Sequence, residues 1–222
     1  MTTRFFRRRW FAVVSATCLA SILCASTNPR QAATQDNASV ATNSDSYFPA
    51  EAPGDVVIFS GFLKSIGEPS LLSHAQYSND VHYRFLWLSG QTGRQLSVRA
   101  DVNPDGSAEV TAADQFYSPR LLERSRHLVS DADLNKFLQL VDRAKFWTMP
   151  LTEGNKVSAG RRDITFDGGF WVFEGVSKGC YHVVVRRAPE KSSFTEMVTF
   201  LAKDMAKLSD ATIPKARRVD HP

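Results

Sequence analysis

The sequence predicts an α+β domain in which antiparallel β-hairpins pack on one face against two amphipathic helices, a two-layer arrangement. Three observations carry that prediction. Large aromatics alternate at Tyr83, Phe85 and Trp87, and Leu96, Val98, Ala100 and Val102 alternate with Gln95, Ser97, Arg99 and Asp101, the period-two pattern of half-buried strands. Two later segments repeat apolar residues at helical spacing, each opened by a serine. Strands, helix, strands and helix follow one another along the chain, an order that suits antiparallel hairpins backed by helices.

The chain opens with Arg4, Arg7, Arg8 and Arg9 and no acidic residue, followed by an apolar or small run over residues 11–23. These are the head and hydrophobic region of a bacterial signal peptide. The run turns polar at Ser26, Thr27 and Asn28, short of the roughly 20 apolar residues a spanning helix needs. Cleavage after Ala25 or Ser26 is therefore expected, with no membrane span left afterwards. Arg8-Arg9-Trp10-Phe11 also resembles a twin-arginine signal, although Arg7 stands where Ser or Thr is preferred. Cys24 offers a lipoprotein alternative, which Leu23 just before it disfavours. The expected product is exported, to the periplasm or cell envelope.

Residues 26–55 are rich in Ser, Thr, Ala, Asn and Pro, too poor in branched apolar residues to offset ordering entropy, and read as a flexible spacer. One folded domain is expected over residues 56–208 and a disordered tail over 209–222. The apolar burst after Val56 suggests a short helix over 60–66, broken at Gly67-Glu68-Pro69. Tyr83, Phe85 and Trp87 mark a first strand, and Leu96, Val98, Ala100 and Val102 a second. Asn103-Pro104-Asp105-Gly106 turns the chain into a third strand over 107–113, with a weaker fourth over 121–128. Ser130, with Asp133 three residues on, caps a helix bearing Leu134, Phe137, Leu138 and Val141 on one stripe. A hairpin over 170–187 follows. The last helix starts at Ser193, paired with Glu196, and buries Phe194, Met197, Val198, Leu201 and Met205.

Charge removes one class of function. The whole chain has 27 Lys and Arg against 23 Asp and Glu, a net charge of +4; losing the four leader arginines leaves 23 of each. A nucleic-acid partner is not expected of so balanced a surface. No nucleophile elbow, phosphate loop, dinucleotide fingerprint or zincin helix occurs in the sequence. His74, His82, His127, His182 and His221 are scattered, without the three- or four-residue spacing of a helical metal pair. No cofactor and no metal are expected. Beyond the leader region only Cys180 remains, so no internal disulfide is expected.

Residues 167–189, DGGFWVFEGVSKGCYHVVVRRAP, hold the candidate site. With a three-residue loop Ser177-Lys178-Gly179, Gly179 takes the left-handed position and Trp171, Phe173, Tyr181, Val183 and Val185 share one face. Glu174 then lies opposite His182, beside Arg186. A two-residue turn at Lys178-Gly179 would instead set Glu174 against Val183 and mix polar and apolar groups on each face. The three-residue loop is expected on that ground. Glu174 and His182 would then be an acid-base pair with Arg186 holding an anion, or a cross-strand ion pair that sets strand pairing. The opposed pair also predicts a His182 pKa above its ordinary value.

The positions Asp167, Gly168, Trp171, Glu174, Gly175, Gly179, Tyr181, His182, Arg186 and Pro189 resemble the signature of a large family of uncharacterised exported bacterial proteins. The similarity runs from Gly67-Glu68-Pro69 and Tyr83-Arg84 through Phe146-Trp147 to the last helix. The resemblance implies no reaction, ligand or cofactor. The expectation is a non-catalytic binding or structural module, its partner an envelope protein or small ligand, with a small hydrolase-like enzyme using Glu174 and His182 as the alternative. An open cleft over Glu174 would favour the enzyme, and a helix-covered face the module.

Overall fold

The computed structural model describes residues 46–75, 80–90, 92–116, 122–153, 169–187 and 189–215. The leader, most of the spacer, and Asp167 and Gly168 lie outside them. Within the described residues six antiparallel strands form one sheet: β1 (Val81–Leu88), β2 (Gln95–Val102), β3 (Ala108–Gln115), β4 (Leu122–Val129), β5 (Phe170–Ser177) and β6 (Cys180–Arg187). Their spatial order is β4-β3-β2-β1-β5-β6, so β1 sits centrally between β2 and β5. Among the described residues four α-helices accompany the sheet: α1 (Val57–Ser65), α2 (Leu71–Ala75), α3 (Asp131–Arg143) and α4 (Ser193–Phe200). The fold is α+β.

Local chemistry explains most boundaries. Gly106 takes φ 86° in the β2–β3 turn, where the Asn103 N–H donates to the Ser107 carbonyl at 2.8 Å. The Ser130 hydroxyl accepts from the Asp133 N–H at 3.1 Å and starts α3. The cap of α4 is Ser192 rather than Ser193: its hydroxyl accepts from the Thr195 N–H while the Thr195 hydroxyl accepts from the Ser192 N–H, a reciprocal capping box. Helix α4 continues into a π-helical turn over Leu201–Met205.

Helices α3 and α4 cover one face as expected. Phe137, Leu140, Val141, Phe194, Met197 and Val198 meet Phe85, Val98, Val110, Trp171 and Phe173 there. The opposite face is also covered, which adds a layer to the predicted pair. Phe59, Phe62 and Leu63 of α1 bury against Leu86, Val172, Val183 and Val185, and Leu71 and Ala75 of α2 against Val176. Tyr47 and Phe48 join this second cluster, so the end of the predicted spacer packs onto the domain. Two aromatics provide enough apolar area to anchor a segment whose average composition is polar. The start of the predicted tail is likewise held: Arg94 donates to the Ala211 carbonyl at 3.3 Å and the Thr212 hydroxyl at 3.1 Å, and Ile213 packs on the main core.

Candidate functional site

The β5–β6 register overturns the expected Glu174–His182 pairing. Lys178 (φ 52°) and Gly179 (φ 76°) both adopt the left-handed conformation, the backbone of a two-residue turn whose twist matches that of the flanking strands. Ser177 therefore pairs with Cys180, Gly175 with His182, and Glu174 with Val183. Successive side chains alternate faces, so Glu174 and His182 project from opposite sides of the sheet. Tyr181, Val183 and Val185 likewise leave the Trp171 face. Trp171 itself is 1 % exposed on the α3/α4 face, as expected.

Glu174 belongs to a buried polar network beneath α1, α2 and the 66–70 connection. Arg84 Nε donates to the Glu174 carboxylate at 2.7 Å, and both side chains are fully buried. The Tyr181 hydroxyl donates to the other Glu174 oxygen at 2.8 Å. Arg84 Nη1 donates to the Pro69 carbonyl at 2.7 Å and lies 3.7 Å from the Glu68 carboxylate. Glu68 also accepts from Arg99 Nη1 at 2.7 Å, and its backbone carbonyl from the Tyr47 hydroxyl at 2.8 Å. Arg99 Nε reaches the Asp101 carboxylate at 3.1 Å, and His82 Nδ1 donates to Asp101 at 2.7 Å.

The electrostatics follow from this packing. Burial by itself lowers the Arg84 pKa, but the Glu174 carboxylate, helped by Glu68, more than offsets it and holds the guanidinium above its ordinary value. Burial and then the Glu174 charge push the Tyr181 hydroxyl well above its usual range. Burial works against ionised Asp101, yet the His82 hydrogen bond and the Arg99 charge prevail and lower its pKa. Both Glu174 oxygens are thus engaged and shielded from water, an arrangement suited to fixing strands and connection together.

His182 lies on the α3/α4 face, with its ring centroid 4.9 Å from Phe146 and 6.3 Å from Trp147. Burial lowers its pKa, hydrogen bonds to the Met149 and Phe146 backbone oppose this, and the Arg186 charge lowers it further. The direction is opposite to the predicted one because Glu174 is on the other face. Arg186 does not hold an anion-binding position. Its guanidinium donates to the carbonyls of Pro150 (3.2 Å), Leu151 (3.3 Å) and Val185 (2.8 Å), and pairs with Glu153 at 3.2 Å. It pins the strap that runs along the edge of β6, where Thr152 bridges to Val185. Cys180 is half-buried at the start of β6.

Several residues of the candidate segment therefore have packing roles. A methyl group on Gly175 would stand 2.6 Å from Phe146 Cε1 and 3.2 Å from Trp147 Cη2, so this glycine lets the Phe146-Trp147 turn lie on the strand. The carboxylate-imidazole pair that the sequence does conceal is Asp101 with His82, directly opposite each other on β2 and β1. Each residue sits among strand residues, and only the register reveals the pair. Among the described residues, no three His, Cys, Asp or Glu side chains converge to hold a metal ion, and no helix is long and apolar enough to cross a membrane. No protein-family model and no curated protein matches the chain.

Proposed function

We propose that the chain is an exported, non-catalytic binding or structural module of the periplasm or cell envelope. The observation that carries the reading is the covered, water-free setting of Glu174, which is 0 % exposed and bonded to Arg84 and Tyr181. An acid-base enzyme working through Glu174 and His182 needs the two groups within reach of one substrate atom, whereas they project from opposite faces. An open groove of about 760 Å³ between α3 and α4, lined in part by Lys136, Leu140, Thr195, Glu196 and Phe200, lies away from both. Export rests on the positive head and apolar run at residues 4–23.

Fractionation of a Gram-negative host expressing the full chain, followed by intact-mass measurement, tests the export half. The expected species is an envelope-fraction protein beginning near Ser26 or Thr27. A diacylated start at Cys24 would establish the lipoprotein alternative, and uncleaved protein confined to the cytoplasm would overturn export.

A further inference from the structure

We propose that His74 and His82 form a binding site for a late first-row divalent metal ion such as Zn²⁺, with water completing the coordination sphere on the exposed His74 side. His82 holds the arrangement of a metal-ready imidazole. Its Nδ1 donates to Asp101 at 2.7 Å, which fixes the tautomer and leaves the Nε2 lone pair available. A carboxylate on the far ring nitrogen is the usual support behind a histidine ligand. Asp101 is itself anchored at 3.1 Å by Arg99, two residues earlier on β2. His82 Nε2 is buried and has no hydrogen-bond partner, so the ring presents an unused acceptor where an unmet polar atom is costly.

The nearest imidazole supplies the second ligand. His74, in the last turn of α2, lies with its ring centroid 5.6 Å from that of His82 and the planes at 79°. Two imidazoles sharing one ion at a metal–nitrogen distance of about 2.0–2.1 Å have centroids roughly 5 Å apart. His74 is exposed, so a small rotation of its side chain closes the difference. Imidazole nitrogen selects zinc, copper or nickel over magnesium or calcium. The two ligands are eight positions apart on a helix and a strand, which is why helical spacing in the sequence does not reveal them. The site goes beyond the function proposed above and is independent of export, since a measurement on purified protein is silent about localisation.

The test is a Zn²⁺ titration of the untagged, metal-stripped full chain, followed by NMR of the imidazole nitrogens. The His74 and His82 rings should shift together and saturate at one metal per chain, with His182 unmoved. Asp101→Asn should weaken binding by about 10- to 100-fold, the usual effect of losing an outer-shell carboxylate. His74→Ala alters an exposed residue, should melt as the wild type does, and should abolish the His82 shift at that ratio. Unmoved His74 and His82 rings in excess Zn²⁺, or a His82 shift that survives His74→Ala, would overturn the proposal.

Discussion

A carboxylate that has committed both oxygens, one to Arg84 and one to Tyr181, is costly to disturb. Glu174→Ala takes from the buried Arg84 guanidinium its hydrogen-bonded counter-charge and leaves only Glu68, 3.7 Å away, and such breakage costs about 3 to 5 kcal/mol. Replacing both partners with apolar residues, Arg84→Met with Glu174→Leu, should cost less than Glu174→Ala alone, because no uncompensated charge remains. Chemical denaturation of the two variants beside the wild type checks the order. A cheaper single variant would mean that Arg84 is reached by water. His182 responds to different neighbours. Its midpoint in an NMR titration should fall below the ordinary value of about 6.5 and should not move in Glu174→Gln, since burial beside Phe146 sets it. A depressed imidazole favours the neutral form in the fold. Its contribution is therefore complete above the unfolded pKa and is lost as pH falls toward the folded one. A His182 midpoint that rises above 6.5, or drops in Glu174→Gln, would restore the pairing across the hairpin.

The β5–β6 hairpin turns on one unfavourable residue. Lys178 carries φ 52°, a conformation that favours Asn or Gly over a side chain branching into the chain. Lys178→Asn should therefore stabilise the protein by about 0.5 to 1 kcal/mol, the relief of left-handed strain in a two-residue turn. In a three-residue loop Lys178 would have negative φ and the same change would bring no gain, so thermal melting distinguishes the turns. Gly175→Ala acts in the opposite direction. Its methyl group meets Phe146 and Trp147, and overpacking of this kind costs about 1 to 3 kcal/mol. These elements also show what is legible in sequence. The Ser130 cap and the Asn103–Gly106 turn are signalled by adjacent residues. The hairpin register is not, because a lysine in the left-handed region carries no turn signature. Arg84 and Glu174 stand 90 positions apart, so nothing local announces their pairing.

At the scale of the molecule, the sheet separates two apolar clusters. The α3/α4 face was readable from the aromatic alternation in β1 and from the helical stripes. The α1/α2 face was not: Arg84, Arg99 and Glu174 interrupt its apolar pattern, while Tyr47 and Phe48 come from a segment of polar composition. The consequence is a prediction about energetic independence. Val98 lies in the α3/α4 cluster and Val172 in the α1 cluster, and both are completely buried. Truncating either to Ala removes two methyl groups and leaves a small void, a loss of about 1 to 3 kcal/mol. The two side chains point away from each other and share no cluster, so the double variant should lose the sum of the single losses to within about 0.5 kcal/mol. Both variants should still unfold in one transition, since β1, β3, β5 and β6 each contribute buried residues to both clusters and neither layer can release the sheet alone. Circular dichroism in the near and far ultraviolet, recorded on the same melts, provides the check. Coincident transitions with additive losses are expected. A separate low-temperature transition in Val172→Ala alone would show that α1, α2 and the 46–53 segment detach from a sheet that α3 and α4 hold by themselves.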